Sequence, residues 1–371
     1  MSKILILSPA HPLRGGIASS SERLAYAFQE QGHDVKIISF RLLYPNFLFP
    51  GKTQYTDDPP PEGLAIDTLV NAINPFNWLA AGLKMRREKA DVIVVRYWLP
   101  LIGPCLGTVL RLARRRNTKV VAITDNVIPH EKRPGDRLFT RYFIGAADAF
   151  VVMSRSVEDD IRQFTRTKPV RYAPHPIYDN YGAPVDRETA LRHLGLPASD
   201  RYILFFGFIR KYKGLDLLLE AMADERVRRL GLKLVVAGEF YEDPEPYQEL
   251  IRNKGLEDQV VLHPDFIPNE AVKYYFCAAD LVAQTYRTAT QSGISQMAYH
   301  FAVPMLVTNV GGLPEIVEHE KAGYVVPVDP AAIAGAIVDY FERDRRAEMT
   351  RAVVARQKDF SWERMVGAVL E

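Results

Sequence analysis

Residues 3–40 read KILILSPAHPLRGGIASSSERLAYAFQEQGHDVKIISF, and their pattern decides the fold class. Residues 3–8 form a continuous apolar run, as expected of a strand buried on both faces. Gly15-Gly16 follows, then a helical pattern over 17–31, Gly32 as a stop signal, and a second strand over 35–40. Working outward, buried-type strands recur at 92–96, 120–124 and 149–153, with helical stretches between them. Buried strands alternating with helices predict a parallel sheet covered on both faces.

The stretch 171–200, RYAPHPIYDNYGAPVDRETALRHLGLPASD, is rich in proline and turn residues around one short helix and reads as a linker. After it the pattern restarts, with strands at 202–207, 232–237, 260–262, 281–285, 305–308 and 324–326 and helices at 215–223, 247–253, 269–278 and 292–301. The expectation is therefore an α/β chain of two doubly wound, Rossmann-like domains facing each other across a cleft. The first covers 1–180 and the second 181–356, with a terminal helix at about 357–371 packing back on the first domain.

Composition agrees with a globular chain: 371 residues, 47% hydrophobic and 25% charged. At about 100–200 residues per domain, each half is large enough to bury its own core. Cys105 and Cys277, far apart in apolar settings, read as reduced core residues and not as a disulfide or metal framework. The short apolar run after Lys3 is too brief for a signal-peptide core or a membrane span, so a cytoplasmic protein is expected. Charge is uneven. Residues 1–178 hold 25 lysines and arginines against 16 acids, whereas 179–371 hold 22 against 29, which points to two surfaces with different partners.

Candidate functional residues lie where strands end. Gly15 and Gly16 let the backbone approach a ligand, and the helix after them offers free N–H groups. The stretch has neither G-x-G-x-x-G spacing nor an acid ending the second strand, which argues against a nicotinamide enzyme. GFIRKYKG (207–214) places Arg210, Lys211 and Lys213 after a strand, where cations can neutralise a diphosphate. In YRTATQSGISQMAYHF (286–301), Thr, Gln, Ser and Gly crowd a helix start and expose amides suited to a phosphate. A glycine pair at 311–312 precedes Glu315. In the first half, ITDNVIPHE (123–131) sets Asp125, Asn126, His130 and Glu131 at a strand end as candidate catalytic groups, while His175 reads as a packing residue. No His, Cys or carboxylate cluster has ligand spacing, so no metal and no other cofactor is expected.

Several motifs in order then carry a resemblance. GGI after the first strand, GFIRKYKG, VVAGE, HPDFIPNEAVKYYFCAADLVAQTY, VTNVGGLPEIVEHEKAGYVV followed by Asp329-Pro330, and FSWERM together resemble retaining family-four glycosyltransferases of the GT-B fold. The similarity spans the chain and is strongest over 202–328. It implies transfer of a sugar from a nucleotide-diphosphate sugar to a glycan or lipid-linked acceptor, in cell-surface polysaccharide or glycolipid synthesis. Gly16 matches the family's backbone contact to donor phosphate or acceptor, and Lys213 the lysine gripping the diphosphate. The family's arginine after the first glycine is Phe208 here, so Arg210 would substitute for it. The two family glutamates, eight residues apart, fall on Thr288 and Gln296, with Gln291 as an alternative stand-in for the first. The Ser292, Gly293 and Ile294 amides remain to cradle a diphosphate. The family's first-domain histidine aligns with Asp125, its role passing to His130 or being dropped.

Arg111, Arg114, Arg115, Arg116 and Lys119, with the aromatic loop 41–51 (Tyr44, Phe47, Leu48, Phe49), suit peripheral contact with an anionic membrane's inner face. No nucleic-acid partner is expected. Two alternatives keep the fold: a nucleotide-sugar epimerase, and a non-catalytic carbohydrate-binding or partner subunit lacking the glutamates.

Overall fold

The computed structural model describes residues 1–44, 53–129 and 133–371. The chain forms two compact units, Met1–Pro176 together with Ser361–Glu371, and Ile177–Phe360. The chain thus passes between units twice, after Pro176 and after Phe360.

The first unit is built on seven strands: β1 (Lys3–Leu7), β2 (Asp34–Leu42), β3 (Ala65–Asn71), β4 (Val92–Tyr97), β5 (Lys119–Thr124), β6 (Ala149–Val152) and β7 (Val170–Tyr172). They lie in the order β3-β2-β1-β4-β5-β6-β7, and every pairing is parallel. The apolar run that opens the sequence becomes the central strand, with Ile4, Leu5, Ile6 and Leu7 wholly inaccessible. The two strands absent from the sequence reading, β3 and β7, are the two edges. Edge strands are covered less completely, so β3 is mostly exposed or half-buried, with only Val70 buried, and β7 has only three residues, neither giving the continuous apolar run of a central strand. The last helix, Trp362–Leu370, is capped by Ser361 and packs on helix Gly16–Glu30, where Arg23 lies 5.4 Å from the Trp362 ring centre.

The second unit repeats the plan with β8 (Tyr202–Phe206), β9 (Lys233–Ala237), β10 (Val260–His263), β11 (Leu281–Gln284), β12 (Met305–Thr308) and β13 (Gly323–Val326), in the parallel order β10-β9-β8-β11-β12-β13. The stretch read as a linker is divided between the units. Its start completes β7, and helix Arg187–Leu194 packs on helix Asn269–Ala278 in the second unit.

In each sheet the winding reverses once, between β1 and β4 and between β8 and β11. Adjacent strands there send their following loops to opposite faces, leaving a crevice at the carboxyl ends that is the usual ligand position in open α/β sheets. Cys105 is buried in a helix and burial pushes its thiol up to about 12, which keeps it protonated and unreactive.

Candidate functional site

At the second reversal three loops are stitched together. After β8 the chain runs through Gly207 to a 3₁₀ turn, Lys211–Lys213, and Gly214 opens helix Leu215–Met222. After β11, residues 285–292 lead into helix Gly293–His300, whose first turn is capped by Ser292 accepting from the Ile294 amide at 3.3 Å. Thr285 Oγ1 donates to the Gly214 carbonyl at 2.7 Å, and the Arg287 amide donates to the Tyr212 carbonyl at 2.7 Å. The Arg287 guanidinium clasps Asp216 with two bonds of 2.7 and 2.6 Å. The loop after β12 joins them, with Thr308 Oγ1 donating to the Tyr286 carbonyl and the Gly312 amide to the Thr290 carbonyl at 3.1 Å.

Lys213 stands inside this stitched region. It is 8% exposed, and a methyl group placed on Gly207 would lie 3.2 Å from both Lys213 Nζ and Ile294 Cδ1. The ammonium is therefore beside bare backbone and the start of the following helix. Among the described residues no carboxylate lies within ion-pair distance of it, and its Nζ is 5.8 Å from the centre of the Tyr286 ring. Burial, helped by the positive charge of Arg210, lowers its pKa to about 7. A buried cation without a counter-ion is costly unless an anion completes it.

The other expected donor-side residues are distributed unevenly. Arg210 is exposed, with its guanidinium 5.7 Å from the Tyr241 ring centre. Phe208 stacks beside Tyr241 and Phe266, forming an aromatic wall in place of an arginine. Thr288 is exposed, whereas Gln296 is completely buried, its amide oxygen and nitrogen both lacking hydrogen-bond partners. The two residues eight apart therefore occupy different environments. Gln291 is half-buried, and Gly293 lies against the Tyr178 ring, which a methyl group there would meet at 2.7 Å.

In the first unit, Gly15 has the extended, positive-φ conformation (φ 111°, ψ 170°) that starts helix Gly16–Glu30, with open space where a side chain would stand. Asp125, one residue past β5, is held by Arg96 from β4 through a two-pronged ion pair whose Nε bond is 3.0 Å. Arg96 Nη1 also donates to Ser20 Oγ at 3.2 Å, tying both strand ends to the helix behind the glycine pair. Asn126 Oδ1 is buried without a hydrogen-bond partner. His130 and Glu131 lie outside the described residues, as do Phe47, Leu48 and Phe49. His175 is buried, with Nδ1 3.0 Å from the Pro176 carbonyl, and burial with the nearby Arg96 charge lowers its pKa to about 4, so it is neutral at pH 7. Arg111 is spent on the Gly107 and Tyr142 carbonyls and on the Tyr142 ring, and Tyr44 accepts from Trp98. Among the described residues no group of three His, Cys, Asp or Glu is placed to hold a metal ion.

Sequence reasoning missed Arg96, Thr285, Asp216 and Arg287. The signal for Arg96 was present, since an arginine inside the apolar run VIVVRY needs a buried partner. The pairing of Asp216 with Arg287 joins residues 71 apart and left no local signal.

The sequence profile described as "Glycosyl transferases group 1" matches residues 200–343, and that of a "Glycosyl transferase 4-like domain" matches 15–177. A D-inositol 3-phosphate glycosyltransferase of Corynebacterium aurimucosum is 30% identical over 294 residues, covering 73% of this chain and 68% of that protein. The protein of the same name from Acidothermus cellulolyticus is 26% identical over 302 residues, covering 76% of this chain, and the chain spans 66% of that relative's length. Two solved structures share the fold along the whole chain. Sucrose-phosphate synthase from Thermosynechococcus elongatus has a TM-score of 0.77 at 19% identity, with 100% of this chain and 97% of that one covered. Anabaena Alr3699/HepE in complex with UDP and glucose has a TM-score of 0.74 at 18% identity, with 100% and 99% covered. Each unit is a parallel Rossmann-like sheet, the neighbours are GT-B proteins, and the family profiles match in chain order; the chain belongs to the group 1 glycosyltransferases.

Proposed function

We propose that the chain moves a sugar from a nucleoside diphosphate sugar to an acceptor hydroxyl with retention at the anomeric carbon, in the building of a cell-surface polysaccharide or glycolipid. The observation that carries this reading is Lys213, a buried ammonium with no carboxylate partner among the described residues, set against the backbone of Gly207 and the helix start at Gly293. A diphosphate supplies the missing negative charge. It gains more as the glycosidic bond breaks, so a cation fixed beforehand lowers the barrier. The neighbour whose structure holds UDP and glucose supports a nucleotide donor. Retention then follows from attack on the face the diphosphate leaves: its departing oxygen takes the acceptor proton, the new glycosidic bond forms, and the bond to phosphate breaks.

Ser292, Gly293, Ile294, Arg210 and Gln296 are assigned to the donor, with Thr288 and Gln291 on the loop before the helix. Gly15 and Gly16 are assigned to backbone contact with the donor, Gly16 to donor phosphate or acceptor, and Asn126 and Asp125, the latter held by Arg96, to the catalytic groups. The basic first half suits a phosphorylated acceptor, either lipid-linked at the inner face of a membrane or, as the relatives' name suggests, an inositol phosphate. No helix among the described residues is long and apolar enough to cross a membrane.

The expected result is that Lys213→Ala weakens UDP binding by about 1.5–3 kcal/mol, the value of a hydrogen bond to a charged group. Calorimetry showing unchanged affinity removes the assignment. The pH dependence has a definite sign. A phosphate binds the protonated amine, so wild-type affinity falls as pH rises through about 7, by at most about tenfold per pH unit, and Lys213→Arg abolishes that fall. Without ligand the sign reverses. The lysine pKa is about 10.4 in the unfolded chain, so between about 7 and 10.4 the unfolded state binds more protons and stability rises with pH. Lys213→Ala is therefore expected to melt no lower than wild type near pH 7, which separates lost binding from lost fold.

A further inference from the structure

Helix Pro75–Arg87 in the first unit turns Phe76, Leu79 and Leu83 outward. Phe76 is 84% exposed, and Leu79, Leu83 and the preceding Ile73 are each about half exposed. With Ala80 and Arg87, which are also exposed, the positions 76, 79, 80, 83 and 87 fall on one face at helical spacing. The opposite face carries what packing needs. Ala81, Gly82 and Met85 are buried, and Gly82 lies so close to helix Gly103–Ala113 that a methyl group there would sit 2.6 Å from Leu112 Cβ. Trp78 donates inward to the Asn71 carbonyl at 2.9 Å. The orientation is thus fixed by packing, and the apolar stripe is left with no partner among the described residues. At 1.5 Å per residue it extends over roughly 20 Å.

Charge on this face is one-sided. No acid occurs between Asp67 and Glu88, and none between Asp91 and Asp125. Lys84, Arg86 and Arg87 end the helix, and Arg114, Arg115 and Arg116 follow the neighbouring one. Arg86 Nη1 donates to the Arg114 carbonyl, so the two groups form one cluster. The acids flanking it are already neutralised, Asp67 by Lys36 and Lys84, and Glu88 by Lys3 and Lys36. Arg114 is paired with Asp148 at 2.8 Å, whereas Arg87, Arg115 and Arg116 form no ion pair among the described residues.

We propose that this face lies on an anionic lipid bilayer. The stripe from Ile73 to Leu83 enters the boundary between headgroups and acyl chains, and the arginine cluster meets lipid phosphates. The proposal deepens the lipid-linked acceptor reading by naming the docking surface. An apolar strip beside arginines, three of which form no ion pair among the described residues, gains from both hydrophobic burial and a negative surface potential. A second copy of the chain would instead bring a second set of arginines against the first.

The test uses the full chain and sedimentation with vesicles of phosphatidylcholine alone or mixed with phosphatidylglycerol. The expected result is binding to the mixed vesicles, weakened at high salt, and reduced at least tenfold by F76S/L83S or by R86E/R87E. The substituted side chains are exposed and none is among the residues assigned to UDP, so UDP affinity and melting temperature stay at wild-type values, and a failure here is distinguishable from failure of the transferase reading. As an independent readout, Phe76→Trp is expected to show a blue-shifted emission on the mixed vesicles only. Absence of binding, binding that F76S/L83S leaves unchanged, or a dimer in solution that the same substitutions dissociate would each overturn the proposal.

Discussion

Arg96→Met is expected to lower the unfolding free energy by about 3–5 kcal/mol, the usual consequence of removing one member of a buried ion pair. Arg96 is almost wholly inaccessible and Asp125 nearly so, and their two-pronged pair has little solvent to replace it. The substitution also removes the donor to Ser20 Oγ, so the ends of β4 and β5 lose their tie to helix Gly16–Glu30. Urea denaturation of the full chain measures the loss. The double variant Arg96→Met with Asp125→Asn removes both charges and is expected to recover at least about 1 kcal/mol, because contacting residues are not additive. Equal losses in the single and double variants would mean that packing, and not the Asp125 charge, sets the cost.

Gly311→Ala is expected to cost about 2–4 kcal/mol and to weaken UDP binding with it. Gly311 has φ +51°, and a methyl group on it would lie 1.4 Å from the Ala289 carbonyl oxygen. No rotamer relieves a clash with backbone, so the loop after β12 must move away from residues 285–292. That movement breaks the bond from the Gly312 amide to the Thr290 carbonyl and shifts the approach to helix Gly293–His300. The internal control is Gly335→Ala. This glycine is inside helix Pro330–Glu342 with nothing within 4 Å of an added methyl group, and it is expected to stabilise by about 0.5–1 kcal/mol. A Gly311→Ala variant with wild-type melting and wild-type nucleotide affinity would show that the loops are not coupled as described.

The central strands, the glycine turn and the order of elements were legible because each depends on residues close in sequence. Continuous apolar runs such as 3–8 mark strands covered on both faces, and Gly32 stops a helix by its own backbone freedom. The candidate site was legible in part for the same reason, since Lys213, Ser292, Gly293 and Ile294 follow strands whose ends could be counted. The edge strands β3 and β7 were not legible, because half-exposed residues carry no continuous apolar signal. The outward stripe of helix Pro75–Arg87 was also hidden, since a periodic apolar pattern does not say which face is covered.

The sequence by itself determined two parallel α/β units and placed a lysine and a helix start after neighbouring strands, because periodicity and turn chemistry act over a few residues. Only the tertiary structure decided that Arg96 holds Asp125, that Arg287 binds Asp216, and that Lys213 is buried with no carboxylate of the described residues beside it. Those facts depend on which side chains meet across 29 or 71 positions of chain, and on how much water the packing leaves around them. Charge pairing and desolvation are properties of that assembled environment, not of any short stretch of residues.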